Sequence, residues 1–452
     1  MTAPTPAPDP AYAPPPDPTY APPPDPTHAP PPDPGLIASL RGLDLNGRML
    51  FAMRTARMFG YGFLAVVLVL YLVAVGLDPL MVGIVLTMTL IGDTIISLWL
   101  TTNADRLGRR RVLVAGAALM VVAGVVFAFT SWVPLLILAG AIGVLSPTGN
   151  EVGPFLAVEQ AALSQTVHDV RRTATFAWYN LVGYIATASG ALGAGLMSQA
   201  LLNGGMAPVD AYRAIVIGYA VIGVAMIAGF WQLSPAVEAP PNDHANDGIR
   251  RRFGLHKSKK IVLRLSVLFS IDAFGGGFIP QSLMAYWFHT QYGVEPAVLG
   301  AIFFGANLLA AVSSLSAARI ASRFGLINTM VFTHLPSNVL LILVPLMPTL
   351  PLAVLVLLAR YSLSQMDVPT RQSYVMAVVD PDERSAAAGV TGVARTTGAA
   401  ISPSLSSVMM ASAGYAALPF YLAGSLKIVY DLLMYRDFRN VRPPEEQVRH
   451  TG

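Results

Sequence analysis

Stretches of this chain that are otherwise built for hydrocarbon hold ionisable side chains, among them Arg57, Asp93, Glu151, Asp272, Arg360, Asp367 and Arg395. A charge at the centre of a membrane-crossing helix costs about 2.5 to 3.5 kcal/mol on insertion scales, so such residues face a bundle interior or a water-filled cavity. There they pair, bind ions or carry protons. Three arginines against four carboxylates leave one acid over, and that acid is able to carry a proton. Asp272 lies in "SIDAFGGGFIPQ", just ahead of Gly275, Gly276 and Gly277. Glycines allow a membrane helix to bend or unwind where neighbours re-satisfy the backbone. The expectation is that Asp272 faces a cavity beside a glycine hinge and either titrates or pairs with Arg57.

The elements that must position these charges follow from composition. Hydrophobic residues make up 54% of the chain and charged residues 12%, with a mean hydropathy of +0.57, which places it among membrane proteins. A spanning helix needs about 20 mostly apolar residues. Twelve such stretches follow residue 45, at roughly 50–75, 79–102, 112–131, 133–157, 176–200, 214–235, 261–288, 297–318, 327–346, 351–371, 387–411 and 415–435. The fold class is therefore all-α and integral to the membrane. The chain divides into a proline-rich tail (1–35), a first six-helix half (36–235), a basic linker (236–260), a second half (261–435) and a C-terminal tail (436–452).

The tail repeats "DPAYAPPP", "DPTYAPPP" and "DPTHAPPP", a composition that favours polyproline II or disorder and cannot bury a core. It has no basic n-region leading into an apolar stretch, so it does not read as a secretory signal. Basic residues gather at Arg106 and Arg109 to Arg111, at Arg171 and Arg172, in the linker, and at Arg436, Arg439, Arg442 and Arg449, while the alternate connections hold only Arg213. By the positive-inside rule both termini and the linker are cytoplasmic, in a cell membrane. This distribution also accounts for the net charge of +4 without nucleic-acid binding. The absence of cysteine excludes disulfides and thiol chemistry.

The two halves repeat each other. "RMFGYGFL" (57–64) aligns without a gap on "DAFGGGFI" (272–279), and the same register puts Tyr71 on Tyr286. "GLDP" (76–79) falls on "GVEP" (293–296), Asp105 to Gly108 on Ser322 to Gly325, Gln160 on Gln372, and "GALGAG" (190–195) on "SPSLSS" (402–407). Two parallel, pseudosymmetric halves related by an axis along the membrane normal make a known transporter architecture, with the substrate between them near the midplane.

At "TTNADRLGRRR" (101–111) the sequence resembles the major facilitator superfamily, whose signature loop reads G-x-x-x-D-R-x-G-R-[RK]. Asp105, Arg106, Gly108, Arg109 and Arg110 match, and Thr101 replaces the leading glycine. The second copy keeps Arg323 and Gly325 but has Ser322 for the acid. The antiporter-type motif G-P-x-x-G-G is degenerate, with Gly190 and Gly195 matching and Ala191 and Ala194 not. The resemblance implies a twelve-helix fold, a conformational latch at the 105–110 loop, and a central cavity lined by helices one, four, seven and ten. Those four helices carry Arg57, Glu151, Asp272, and Arg360 with Asp367. Asp105 is expected to face a helix N-terminus of the other half.

Other residues are weighed beside these. Tyr71, Tyr286 and Gln281 are candidates for the cavity, although aromatic residues toward helix ends, with Trp287 and His289, also serve as interfacial anchors. Asp93 lies in a packing helix and reads as structural. His334, and Lys427 with Asp431 at i, i+4, lie outside the expected cavity. Metal spacings such as H-E-x-x-H and a phosphate loop G-x-x-x-x-G-K-[ST] are missing, so no enzyme, cofactor or direct use of ATP is expected. The reading is a monomeric secondary transporter, in contact with membrane lipid, that exports a small organic molecule in exchange for protons by alternating access. One alternative is uptake or facilitated diffusion of an organic ion, with Arg57, Arg360 and Arg395 as anion partners. Another is a non-transporting sensor or scaffold that docks through its proline-rich tail.

Overall fold

Helix starts and reversals are set by residues that the sequence repeats. Helix α1 (Leu45–Ala74) begins on Asp44, whose carboxylate accepts from the Gly47 N–H at 2.7 Å. Helix α2 (Pro79–Leu107) begins on Asp78, which accepts from Met81 N at 2.9 Å, with Pro79 in the first turn, where its missing N–H leaves nothing unsatisfied. Only Gly108, at φ +94°, separates α2 from α3 (Arg109–Phe129). In the second half Gly325, at φ +87°, makes the equivalent turn, a backbone conformation that side chains disfavour. The first half continues with α4 (Val133–Ile142), α5 (Phe155–Thr166), α6 (Asp169–Asn203) and α7 (Pro208–Trp231). The second half comprises α8 (Lys259–Gly277), α9 (Gln281–Tyr292), α10 (Pro296–Phe324), α11 (Leu326–Leu343), α12 (Leu350–Ser364), α13 (Asp367–Val378), α14 (Arg384–Ala411) and α15 (Leu418–Phe438).

The computed structural model describes residues 43–167, 169–238, 257–380, 383–412 and 414–441. The proline-rich tail, most of the basic linker and the last residues lie outside that set. Among the described residues, eight helices are long and apolar enough to cross a membrane. With the pairs α4/α5, α8/α9 and α12/α13 each counted as one span, the chain makes the twelve crossings expected of it.

Two of those pairs, in spans four and ten, correct the sequence reading, which drew those spans as continuous; in span seven the break falls directly after Gly275 to Gly277, the glycines read as a hinge. In span seven α8 ends in two tight bonds, Phe278 N to Gly275 O at 3.3 Å and Ile279 N to Gly276 O at 3.2 Å, and Pro280 has no N–H to continue the ladder. The matching glycines of α1 leave that helix unbroken, because Ala65 stands where the second half has Pro280. In span ten Gln365 and Met366 interrupt the helix, and Pro369 sits in the first turn of α13. Span four is open from 143 to 154, where Gly149 (φ +71°) and Gly153 (φ +80°) lie between Pro147 and Pro154.

Non-helical backbone at membrane depth is tolerated only where protein or a cavity supplies its hydrogen bonds. Around span four the supply comes from four other helices. The Tyr219 hydroxyl donates to Val144 O, Tyr61 to Val152 O at 3.1 Å, and the Ser282 N–H to Pro147 O at 3.1 Å. Asp93 accepts from Gly153 N at 2.7 Å and from the Ser97 hydroxyl at 3.0 Å. Asp93 is thus the acceptor that holds the break in place.

The internal repeat persists at atomic detail. A Cβ at Gly62 would lie 2.1 Å from Thr187 O, and one at the equivalent Gly277 would lie 2.2 Å from the equivalent Ala399 O. Gly190 approaches Phe59 O at 2.0 Å measured the same way. Its counterpart Ser402 instead donates to the counterpart carbonyl, Phe274 O, at 2.5 Å.

Asp93→Leu leaves the half-buried Gly153 N–H without an acceptor, and thermal unfolding in detergent micelles is expected to report a loss of about 1 to 3 kcal/mol. Asp93→Asn, which keeps an oxygen there, should lose less. Equal losses for the two variants would show that the acceptor is not what matters.

Candidate functional site

Each half builds a buried charge cluster around the first helix of its repeat. In the first half Arg57 is fully buried and forms a bidentate pair with Glu159 on α5, at 2.5 and 2.7 Å. Its Nε donates to Glu151 at 2.8 Å. One turn earlier on α1, Arg54 donates to the other oxygen of Glu151 at 2.6 Å and, through Nε, to Tyr179 O at 2.7 Å. The Tyr179 hydroxyl donates to Glu159. The guanidinium of Arg57 also stacks on Phe155 at 4.6 Å and that of Arg54 on Tyr179 at 4.4 Å. Two arginines meet two carboxylates, and the cluster is electrically closed.

In the second half Asp272 accepts from Lys427 on α15 at 2.6 Å and from Arg371 on α13 at 3.4 Å. Arg371 also donates to Asp367 at 2.7 Å. Behind them His334 on α11 bonds Asp431 through Nδ1 at 2.8 Å, with Nε2 3.9 Å from Asp272. Asn338 donates to the other oxygen of Asp431 at 2.9 Å.

This cluster borders a cavity of about 220 Å³ whose walls come from the span-four break, α6 and the second half. Its charged walls are Arg360, Arg371, Arg395 and Lys427 against Asp272 and Asp367, with His334 beside them. Asp272 and Asp367 are occupied by Lys427 and Arg371. Arg360 and Arg395 have no carboxylate within ion-pair distance among the described residues, and their buried Nε atoms lack a hydrogen-bond partner. Two further buried polar groups on the same walls are also unpartnered, Gln281 Nε2 and Ser364 Oγ. The arrangement can receive a solute rich in hydrogen-bond acceptors.

Of the residues expected at the cavity, Asp272, Arg360, Asp367, Arg395 and Gln281 line it, joined by Gly276 of the expected hinge, whereas Glu151 lies away from it on Arg54 and Arg57. The others are placed differently. Arg57 pairs with Glu159 and Glu151 rather than Asp272. Tyr71 is buried, and its hydroxyl donates to Phe127 O at 2.5 Å. Tyr286 packs against the hydrophobic core. Gly275 and Gly277 are packing sites for Ala423, Lys427 and Ala399 as well as neighbours of the span-seven break. His334 and Lys427, expected outside the cavity, line it, and Lys427 pairs with Asp272 rather than with Asp431. The acid expected to be left over is not found at the cavity, where cations are in excess.

The 105–110 loop also differs from expectation. Asp105 is exposed and pairs within the loop with Arg109 at 2.8 Å. The start of α3 is capped by Glu238, which accepts from Arg109 N at 2.6 Å and Arg110 N at 3.3 Å, a favourable place for a negative charge. Arg110 stacks on Trp231 at 5.6 Å, and Arg106 is exposed. The loop in this conformation is tied to the end of its own half.

Sequence reasoning missed Glu159, Arg371, Arg54 and Glu238. The repeat contains the signal for the first two. The offset of 212 that puts Gln160 on Gln372 puts Glu159 on Arg371, next to the offset of 215 that puts Arg57 on Asp272. The partner pairs are therefore equivalent with their charges exchanged. Arg54 lies one turn before Arg57 inside the first span, a spacing that places both on one face.

A model of the Major Facilitator Superfamily matches residues 50–366 and 273–452. The uncharacterized membrane protein YJR124C of Saccharomyces cerevisiae is 30% identical over 415 residues, which cover 86% of this chain and 92% of that one. Solved structures share the fold. The nucleoside transporter NupG aligns at a TM-score of 0.67 and 15% identity, over 87% of this chain and 99% of its own. The xylose transporter XylE from E. coli, in an inward-open conformation, aligns at 0.65 and 15%, over 86% and 95%. The human organic anion transporter MFSD10 aligns at 0.55 and 16%, over 86% and 98%.

Breaking a buried ion pair from one side leaves an uncompensated charge and costs about 3 to 5 kcal/mol. Glu159→Gln is expected to lose stability on that scale, and Arg57→Gln in the same chain to recover a large part of it. Additive losses in a double-mutant cycle, read by thermal unfolding, would contradict the closed pair.

Proposed function

The chain belongs to the Major Facilitator Superfamily, a membrane transporter rather than an enzyme, and we propose that it carries a small polar organic solute by alternating access through the cavity at the span breaks. The observation that carries this reading is the cavity itself, walled by unpartnered polar groups, in a chain whose halves also meet through close small-residue contacts. Gly83 on α2 meets α14, where a Cβ would lie 2.2 Å from Ser407 Oγ and 2.6 Å from Ser404 Cα. Thr87 and Ser404 share a hydrogen bond of 2.7 Å. Gly195 on α6 meets α10, where a Cβ would lie 2.4 Å from Pro296 O and 2.8 Å from Gly300 Cα. These contacts lie toward the ends of α2 and α6 remote from the 105–110 loop, and they form the seal on that face. The 105–110 loop belongs to the opposite face.

Rocking the halves then requires the small-residue contacts to part and the loop-side surfaces to meet. A scaffold has no use for either the seal or the cavity. Proton exchange enters the proposal through His334, placed between Asp431 and Asp272, rather than through a spare acid. The organic-ion alternative shifts from Arg57, which is saturated by its partners, to Arg360 and Arg395.

Gly83→Leu and Gly195→Leu hold the seal apart. In proteoliposomes loaded with labelled succinate, lactate, glucose and uridine in turn, each variant is expected to lose net flux of the transported solute by at least about tenfold, about 1.4 kcal/mol in the limiting barrier. Wild-type flux in both variants would refute a sealing role for this face.

A further inference from the structure

The charges on the cavity walls do not balance, and the imbalance specifies a ligand. Four cations face two carboxylates, an excess of two positive charges. The excess is localised. Asp272 and Asp367 are occupied by Lys427 and Arg371, which leaves Arg360 and Arg395. Arg360 is only 8% exposed, and its guanidinium stacks on the Tyr361 ring at 5.0 Å. An uncompensated buried charge is unfavourable unless something supplies the opposite charge. The first-half cluster shows how the same chain treats arginines that only hold helices together: both have carboxylate partners. Arg360 and Arg395 are kept without them.

Resting on the transport reading above, we infer that the solute is a small dianion, a short dicarboxylate or a phosphate monoester, held between Arg360 and Arg395. A cavity of about 220 Å³ falls below the roughly 300 to 1,000 Å³ of drug-sized pockets, which calls for a small solute, and one dianion answers both guanidinium groups at the ordering cost of a single molecule. The remaining wall groups fit the same chemistry. Gln281 Nε2 is a buried donor without an acceptor and Ser364 Oγ a buried hydroxyl without a partner. Thr148, Asn150, Asn307 and Gln365 add polar rather than apolar cover. A guanidinium presents paired N–H groups that match a carboxylate or phosphate edge. Lys427 stays on Asp272 and sets the charge on that wall without taking a ligand oxygen itself.

The test is binding to the purified full-length chain in detergent, read by thermal shift and calorimetry with succinate, glycerol 3-phosphate, acetate, lactate, glucose and choline. Succinate or glycerol 3-phosphate should bind at least about tenfold more tightly than acetate or lactate. Arg360→Gln and Arg395→Gln should each lose that binding by at least about tenfold while unfolding at an equal or higher temperature without solute, since each removes a charge that has no ion-pair partner among the described residues. Arg395→Lys, which keeps the charge but not the fork, should bind weakly rather than not at all. Equal binding of monoanions and dianions would overturn the inference and leave the carrier reading standing. Binding of glucose or choline alone, or of none of the six, would overturn it too. The carrier reading fails separately, if seal variants transport like wild type. A large loss of stability in both glutamine variants would show that the two arginines have protein partners after all, and would also overturn the inference.

Discussion

A guanidinium sealed from water, as Arg57 is, persists only if its neighbours supply the charge and the acceptors that water no longer can. Here Glu159 and Glu151 do so, and meeting that requirement fixes much of the first half. Glu159 must come from a helix that starts late in span four, so the span is broken. The broken backbone must then find donors and acceptors, which arrive from Tyr61, Tyr219, Asp93 and Ser282. One buried charge thus ties α1, α2, α5, α7 and the start of α9 into a single arrangement. The second half repeats the geometry with the signs exchanged, Asp272 against Arg371, and then departs from it by adding Lys427, His334 and Asp431 on one side and Arg360 and Arg395 on the other.

That departure separates anchoring from binding. The first-half cluster closes its charge within itself and resembles a structural joint. The second-half cluster leaves two arginines facing open space and three spans broken around them. On the proposed reading, a pseudosymmetric fold with one neutral and one electrically open cluster concentrates solute recognition on one side of the cavity. The other half is then free to act as a rigid wall against which the first side rocks.

Much of this was legible in the sequence. The twelve crossings follow from apolar length, and the parallel repeat from "RMFGYGFL" over "DAFGGGFI". Helix starts at Asp78 and Pro79 and turns at Gly108 and Gly325 follow from local chemistry. The breaks were less legible, because hydropathy averages across a few irregular residues, and Pro280, Pro154 and Pro369 mark interruptions only when read against the position of the cavity. Ion-pair partners were least legible. Arg57 and Asp272 are equivalent positions of opposite sign, and that invited pairing them with each other. Equivalent residues in a two-fold repeat face equivalent partners instead, so each met its own, Glu159 and Arg371. Lys427 and Asp431 share a helix face at i, i+4, but buried neighbours on other helices, Asp272 and His334, outcompete that local pairing.

The central claim is that the charge left open at Arg360 and Arg395 is where the solute's charge goes. A crystal structure determined with selenate, a compact dianion located by its anomalous scattering, tests it most directly. The account predicts a selenate peak bridging the Arg360 and Arg395 guanidinium groups, with Arg57 still on Glu159 and Lys427 still on Asp272. A cavity without selenate, with both arginines turned onto protein carboxylates, would contradict it.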